Sequence, residues 1–342
     1  MAELTQAERF AQAAVAQQGA ARMSWKKRLV RLAVLLAGFY AAVCLAVYIF
    51  QKKIVYNPTV AADLAVKSFG FAEQQAQDIS TTTSDNVLLR GWRILGNSNR
   101  GKLANSRCVI LYFTGKSGNR AQHDGKFQRL AALGCDVVCF DYRGYGDSAG
   151  SPDEEGLGRD ARAAWDFLQR EGVKPGSTLL YGESLGSAVA TRLACELSQD
   201  HTPPGGMILE GSFPRLIDPA QHLFFWLPVS LILNQHFPSV ERIPLIECPL
   251  LVLHGTYDTI VPIGLGRALF AAAPPNARGI EKTFVECPNS GHVNLDTADA
   301  MLFEKSMRDF MRAALSLKAD HAPEKREKHK LDFKHAVKPK QQ

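Results

Sequence analysis

The chain has 342 residues, 46% hydrophobic and 22% charged, which is ordinary composition for a globular protein with one large core and extensions. The formal net charge is +6, but the excess lies in two flanks, near residues 22–31 and 318–340. The middle of the chain is close to balanced, so no basic folded face is expected and nucleic acid is excluded as a partner.

The N-terminal region predicts a membrane anchor. Residues 1–24 are rich in Ala and Gln and are compatible with a weak helix or with no ordered structure. The run from Leu32 to Phe50 then contains no charged residue. At about 1.5 Å per residue such a helix spans roughly 28 Å, close to the hydrocarbon thickness of about 30 Å. We therefore predict a transmembrane helix over residues 29–51.

Flanking charge predicts the orientation of this helix. Five basic residues precede the charge-free run, namely Arg22, Lys26, Lys27, Arg28 and Arg31, and only Lys52 and Lys53 closely follow it. The positive-inside rule places residues 1–28 in the cytoplasm and the large domain on the opposite side, periplasmic or lumenal. The alternatives are a buried core helix and a cleaved signal peptide, but no A-x-A pattern follows the run.

Strand-like and helix-like segments alternate after the anchor. Apolar runs that predict strands cover residues 87–94, 108–113, 136–140, 177–182, 206–210, 249–255 and 282–287. Amphipathic stretches that predict helices cover residues 121–133, 153–171, 185–199, 262–273 and 296–315. Continuous apolar strands separated by helices are typical of a parallel sheet covered on both faces. The fold class is therefore α/β, with a doubly wound, mostly parallel sheet in a domain over residues 52–317.

Two segments depart from this alternation. Residues 213–243 are rich in Phe, Trp, Leu and Pro, and we interpret them either as a cap over the site or as aromatic packing on a sheet edge. Residues 318–342 are charged and lack apolar periodicity, which predicts a disordered basic tail.

The seven cysteines include no CxxC pair and no Cys/His cluster at zinc spacing, so we expect no metal site. Cys108, Cys139, Cys248 and Cys287 fall in or beside apolar runs, which favours small core side chains. Cys108 and Cys135 fall at the entry ends of adjacent predicted strands, so one bridge between them stays open.

The strongest catalytic motif is a strand that runs through Gly182-Glu183-Ser184-Leu185-Gly186 into a helix. This G-x-S-x-G context is typical of a nucleophile elbow, in which the two glycines, Gly182 and Gly186, permit a sharp turn that exposes the serine hydroxyl. The sequence therefore predicts Ser184 as a nucleophile, and Glu183 receives no catalytic role.

A serine hydroxyl needs a base, and the base needs an acid to orient it. Asp258 and His292 each follow a predicted strand downstream of Ser184, in the order Ser, Asp, His that this architecture uses. Because the carboxyl ends of parallel strands share one rim, we expect all three side chains there. A helix cap at Asp258 and a solvated loop histidine at His292 are the alternatives.

An oxyanion hole is expected from two backbone N–H groups. One is that of Leu185, and the other comes from the Gly-containing loop after residues 108–113, from Lys116 or Ser117. The alternative is an ordinary glycine-rich turn.

With the motifs LYFTGKSGN, FDYRGYGDSAGSPDEEGL, YGESLGSAVA and LHGTYDTIVP and the late Gly291-His292, residues 50–315 resemble the α/β-hydrolase superfamily, most closely its membrane-anchored ABHD-type serine hydrolases. The resemblance implies a triad of Ser184, Asp258 and His292, and hydrolysis of esters, thioesters or amides. It also implies that Asp141 and Arg143 brace a loop beside the site. One departure is Thr114-Gly115-Lys116, where such relatives have a His-Gly-Asn run.

The sequence thus predicts a membrane-anchored serine hydrolase that acts through an acyl-enzyme on a small-molecule or lipid ester. No cofactor, metal or obligate protein partner is expected. The alternatives are a serine peptidase and a non-catalytic binding protein on a hydrolase scaffold.

Overall fold

The computed structural model describes residues 5–69, 71, 75–96 and 103–316, and only the backbone within 16–24. Its α-helices are α1 Gln6–Val55, α2 Asp124–Ala132, α3 Glu154–Arg170, α4 Leu185–Gln199, α5 Ile217–Leu223, α6 Val229–Ile232, α7 Ser239–Arg242, α8 Ile263–Ala272, α9 Leu295–Ala298 and α10 Ala300–Ser316. Its strands are β1 Asn57–Pro58, β2 Ala76–Thr82, β3 Leu88–Ile94, β4 Val109–Phe113, β5 Ser117–Gly118, β6 Asp136–Phe140, β7 Thr178–Glu183, β8 Gly206–Glu210, β9 Leu250–Gly255, β10 Asn276–Ala277, β11 Ile280–Glu281 and β12 Thr283–Cys287.

The large sheet is mostly parallel, as predicted. Its strands lie in the order β12-β9-β8-β7-β4-β6-β3-β2, and only the pairs β3–β6 and β2–β3 are antiparallel. Each of the seven predicted strands is present within one residue of its predicted bounds. The eighth strand, β2, was missed because it lies at the sheet edge, where polar residues alternate with few apolar ones.

Both faces of the sheet are buried, which explains why its strands are continuous apolar runs. Alternate residues of a strand point to opposite faces, so Leu111 and Phe113 of β4 pack into one hydrophobic core while Ile110 and Tyr112 pack into the other. The predicted helices are present, with one correction. The stretch 296–315 forms two helices, α9 and α10, that are interrupted at Asp299.

The predicted anchor lies within a longer helix than the charge pattern indicated. α1 runs without interruption from Gln6 to Val55, so residues 6–28 are helical as well. Within it, Trp25–Val55 is long and apolar enough to cross a membrane. The predicted tail, 318–342, lies outside the described residues.

A disulfide joins Cys108, just before β4, to Cys135, just before the neighbouring β6. Cys108 is a buried core residue, as expected, and the bridge that the sequence left open is present, because the parallel pairing of these two strands brings their entry ends together. Cys139, Cys248 and Cys287 are buried free thiols, as expected.

Candidate active site

Ser184 lies at the sharp turn between β7 and α4, at the carboxyl edge of the parallel strands. Its backbone is in a strained region with φ of 51° and ψ of −117°. A Cβ atom at Gly182 would overlap the carbonyl oxygen of Gly186, and one at Gly186 would overlap that of Phe113. The two glycines are therefore required by close backbone approach.

The side chains of Ser184, His292 and Asp258 form a hydrogen-bonded series. The Nε2 atom of His292 lies 2.8 Å from Oγ of Ser184, and its Nδ1 atom lies 2.7 Å from Oδ2 of Asp258. Asp258 follows β9 and His292 follows β12, so strands adjacent in the sheet deliver both groups to one rim. This is the geometry in which a histidine can accept a proton from a serine hydroxyl.

Asp258 is held as a carboxylate by its surroundings. Its Oδ1 atom accepts hydrogen bonds from the backbone N–H groups of Ile260 and Val261, at 2.9 and 2.8 Å. Nε2 of the buried His254 lies 3.3 Å from its Oδ2 atom. Burial opposes the charged form, but the hydrogen bonds from His254 and His292 outweigh burial and lower the pKa of Asp258 well below its usual range.

The expected oxyanion region lies against Ser184. A Cβ at Gly115 would be 3.5 Å from that of Ser184, so this loop passes directly over the serine. The carbonyl oxygen of Lys116 accepts hydrogen bonds from Tyr145 Oη and Asn57 N–H, at 2.8 and 3.0 Å, which fixes the orientation of the peptide. Within the described parts of the chain, no group accepts a hydrogen bond from the N–H of Leu185 or of Lys116.

The position of Ser117 differs from that of Lys116. Ser117 belongs to the short strand β5, which pairs in parallel with β1 just after the end of α1. The loop expected to form the oxyanion hole is therefore attached to the segment that follows the predicted anchor.

A buried charge cluster beneath Ser184 was missed by the sequence analysis. Lys126 of α2 donates hydrogen bonds to Glu183 at 2.7 Å and to both carboxylate oxygens of Glu210 at 2.9 Å. Tyr112 donates to Glu183 at 2.7 Å, and Tyr181 donates to Glu210. All of these side chains are buried. No local pattern indicates this cluster, because Lys126 resembles any other charged residue on an amphipathic helix.

The two carboxyl groups of this cluster differ in electrostatic state. Burial disfavours charge on Glu183, but the ammonium of Lys126 outweighs burial and lowers the pKa of Glu183 from 4.5 to about 2. Burial, reinforced by the charge of Glu183, raises the pKa of Glu210 above its ordinary value. Lys126 and Glu183 therefore form the charged pair directly behind the nucleophile position.

The loop that carries Asp141 and Arg143 is fixed by separate ion pairs. Arg143 binds Asp160 of α3 and Asp85, both through contacts shorter than 3 Å. Asp141 accepts a hydrogen bond from the backbone N–H of Arg120 at 2.7 Å and pairs with its guanidinium. The two residues thus brace different elements instead of contacting each other.

Ser184 and His292 line a cavity of about 740 Å³. Polar residues from the loops and from α2 form one part of its lining: Lys116, Gln122, His123, Lys126, Asn294 and Asp296. Apolar residues of α1 and of the segment 213–243 form another part: Val47, Ile54, Leu216, Phe224, Leu227 and Ile232. The cavity can therefore accept an apolar chain and a polar group on one molecule.

No group of three or more His, Cys, Asp or Glu side chains is arranged to hold a metal ion in the described residues.

Comparison with known proteins gives one family match. A family model described as serine aminopeptidase, S33, matches residues 104–241. This stretch includes Ser184 and ends before Asp258 and His292.

Two relatives cover different shares of the chain. This chain is 32% identical over 291 residues to the uncharacterized protein Rv2307c of Mycobacterium tuberculosis. The alignment covers 84% of this chain and 97% of that protein. This chain is 38% identical over 189 residues to the lysophosphatidylserine lipase ABHD12 of Macaca fascicularis. The alignment covers 51% of this chain and 47% of the lipase. The chain thus spans about half the length of that lipase.

Solved structures share the fold. The Pyrococcus furiosus esterase Pf2001 is similar with a TM-score of 0.57 and 20% identity, covering 76% of this chain and 98% of the esterase. An esterase domain from Rhodothermus marinus is similar with a TM-score of 0.51 and 21% identity, covering 70% and 99%. Together with the sheet order and the relatives, these likenesses establish that the chain belongs to the α/β-hydrolase superfamily, as a hydrolase of the ABHD type.

Proposed function

We propose that this chain is a membrane-anchored serine hydrolase that cleaves an ester bond of a lipid or other acylated substrate. The observation that carries the proposal is the hydrogen-bonded series Ser184–His292–Asp258, with contacts of 2.8 and 2.7 Å, at a cavity with an apolar lining. The same acyl-transfer chemistry can also cleave thioesters and amides.

In the proposed mechanism, Oγ of Ser184 attacks the substrate carbonyl while Nε2 of His292 takes its proton. The imidazolium then delivers that proton to the leaving alcohol, and the acyl group stays on Ser184. A water molecule, deprotonated by His292, attacks the acyl-enzyme; the acid leaves and the imidazolium returns the proton to Oγ of Ser184. The carboxylate of Asp258 orients the imidazole and stabilises its charged form.

The negative charge on the carbonyl oxygen needs two donors. The N–H of Leu185 fits this role because it lies at the N-terminus of α4, where helix N–H groups lack partners. Lys116 fits as the second donor, since none of the described residues accepts its N–H and its carbonyl is fixed by Tyr145. Ser117 is the alternative donor.

A lipid substrate is supported by two independent observations. The cavity combines the apolar side chains of α1 and of residues 213–243 with polar groups around Ser184. One relative is named as a lysophosphatidylserine lipase, and proteins of the same fold are named as esterases. An amphiphile that carries one acyl chain matches both observations.

The proposed arrangement in the membrane follows the charge pattern. Residues 1–28 lie in the cytoplasm, 29–51 cross the membrane, and the hydrolase domain, 52–317, lies on the opposite side. The Cys108–Cys135 disulfide supports this orientation, because such bonds persist in the periplasm and the endoplasmic reticulum lumen and not in the cytosol. With the protein in the inner membrane of bacterial spheroplasts, a membrane-impermeant maleimide should label Tyr257→Cys, which is exposed, and should not label Ala7→Cys. Labelling only at position 7 would show that the orientation is opposite to the one proposed.

The activity itself is tested with the full-length protein in lipid nanodiscs. We expect hydrolysis of nitrophenyl esters, a monoacylglycerol and a lysophospholipid, with all activity lost in Ser184→Ala and retained in Ser80→Ala, an exposed serine on β2. Absence of ester hydrolysis by the wild type would contradict the proposal.

A peptidase is the second candidate, since the matched family model is described as a serine aminopeptidase. Aminoacyl nitroanilides assayed beside the esters decide between the two. Faster cleavage of the anilides, dependent on Ser184, would make the chain a peptidase. Failure to hydrolyse either class would favour a binding protein on a hydrolase scaffold.

A further inference from the structure

α1 does not stand apart from the hydrolase domain. The hydroxyl of Tyr40 donates a hydrogen bond to the carbonyl of Trp226 at 2.8 Å. Further along the helix, the side chain of Gln51 donates to the carbonyl of Ile232 at 3.0 Å and accepts from the N–H of Asn234 at 2.8 Å. The segment 213–243 is therefore attached to α1 over a distance of three helical turns.

These contacts fix the depth of the segment relative to the charge-free run. Lys26, Lys27, Arg28 and Arg31 exclude residues 26–31 from hydrocarbon, so the run 32–50 is the part of α1 that fits the bilayer core. Tyr40 is close to the middle of that run. At about 1.5 Å per residue it lies roughly 15 Å from Phe50, which is half of a hydrocarbon thickness of about 30 Å. A residue bonded to Tyr40 is thus at the depth of the bilayer centre.

The chemistry of the attached segment agrees with that depth. Residues 223–233 read LFFWLPVSLIL, with no charge and Ser230 as the one polar side chain. Phe225 is 85% exposed, Leu231 is 83% exposed and Trp226 is 50% exposed. Large apolar side chains exposed together on a folded domain mark a contact with a partner or a membrane.

The backbone of the segment is also adapted to an apolar medium. Short helices leave carbonyl groups unpaired, and unpaired carbonyls are costly in hydrocarbon. Here α1 supplies the missing donors, from Tyr40 to the carbonyl of Trp226 and from Gln51 to that of Ile232. The neighbouring polar residues Gln221, His222, Asn234 and His236 bound the segment at both ends.

We propose that residues 223–233 are embedded among the acyl chains of the leaflet nearest Gln51, beside the second half of the charge-free run of α1. This inference rests on the membrane anchoring in the proposed function. The cavity that contains Ser184 shares its wall with both elements, through Val47 and Ile54 of α1 and through Phe224 and Leu227 of the segment. An amphiphile therefore enters sideways from that leaflet with its acyl chain already in hydrocarbon.

The embedding is tested by spin labels on the full-length protein in phosphatidylcholine nanodiscs. Labels at Phe225→Cys and Leu231→Cys, in a Cys44→Ser background, should be more accessible to oxygen than to a water-soluble nickel chelate. Leu36→Cys on the exposed side of α1 is the lipid reference, and Met301→Cys, 89% exposed on α10, is the aqueous reference. Water-accessible labels at both 225 and 231, with a lipid-accessible label at 36, would overturn the inference and leave the anchor intact. A water-accessible label at 36 would overturn the anchoring and the inference together.

Activity gives a second readout. In Phe225→Ser/Leu231→Ser, neither of which lines the cavity, hydrolysis of a soluble acetate ester should stay unchanged. Hydrolysis of monooleoylglycerol held in vesicles should fall by about tenfold, because two embedded apolar side chains are lost. Met301→Ser, the matched control, should change neither rate. Equal rates on the vesicle substrate for wild type and the double variant would contradict entry from the leaflet. If the wild type hydrolysed neither ester, the proposed hydrolase function itself would be wrong.

Discussion

The ammonium group of Lys126 lies 2.7 Å from a carboxylate oxygen of Glu183, the residue directly before Ser184. Both side chains are buried, and the same ammonium contacts Glu210 at the end of the next strand. The turn at Ser184, the proposed nucleophile, is therefore supported by an ion pair that connects α2 with β7 and β8. This connection makes the turn at Ser184 sensitive to changes at Lys126 and Glu210, which lie outside the Ser184–His292–Asp258 series.

Replacing Lys126 with Met should strongly destabilise the domain. The substitution keeps the length of the side chain but leaves Glu183 and Glu210 buried without a cation, and breaking a buried pair in this way costs about 3–5 kcal/mol. Denaturant unfolding in detergent measures the change. Lys305→Met is the control, since its pair with Asp309 at 2.8 Å is exposed and should contribute less than about 1 kcal/mol. Similar stabilities of the two variants would contradict the ion pair.

The same cluster predicts a dependence of stability on pH. The folded pKa of Glu183, about 2, lies below its ordinary value of 4.5. Its contribution to stability is therefore complete above pH 4.5 and is lost as the pH falls toward 2. Glu183→Gln should flatten the stability curve between these limits. Glu304→Gln, on the exposed surface of α10, should leave the curve as steep as that of the wild type.

The apolar periodicity of the sequence was sufficient to predict the parallel sheet, because its strands are buried on both faces. The positions of Ser184, Asp258 and His292 could be predicted for the same reason, since each follows a strand whose end was visible in the sequence. Lys126 and Glu210 could not be paired from sequence, because they lie far apart in the chain and only the packing of α2 on the sheet brings them together. The bond between Tyr40 and Trp226 is likewise a tertiary contact with no local signal.

Asp258→Asn tests the proposed orientation of the imidazole. Asn can donate to Nδ1 of His292 and so favours the wrong tautomer, while the backbone bonds from Ile260 and Val261 remain possible. We expect kcat for ester hydrolysis to fall by about 10⁴-fold. Asp166→Asn on α3, in an exposed pair with Arg162, should keep full activity. Near-normal activity in Asp258→Asn would show that this carboxylate is not needed to orient the imidazole of His292.

Gly186→Ala tests the close approach that shapes the elbow. The added methyl group would overlap the backbone carbonyl of Phe113, which cannot move without displacing β4. A loss of about 3 kcal/mol or more is expected in thermal or denaturant unfolding. Gly264→Ala, whose added methyl group would meet no atom outside its own helix within 4 Å, should be neutral or stabilising by up to about 1 kcal/mol. A harmless Gly186→Ala would show that the turn has more space than the structure allows.

In the proposed mechanism Ser184 is a nucleophile activated by His292. Reaction of the full-length protein with a fluorophosphonate, followed by mass spectrometry of the intact chain and of its peptides, measures this directly. The predicted result is a single covalent adduct on Ser184 that disappears in Ser184→Ala and forms far more slowly in His292→Ala. A wild-type protein that stays unmodified, or an adduct that forms elsewhere and persists in Ser184→Ala, would contradict the claim.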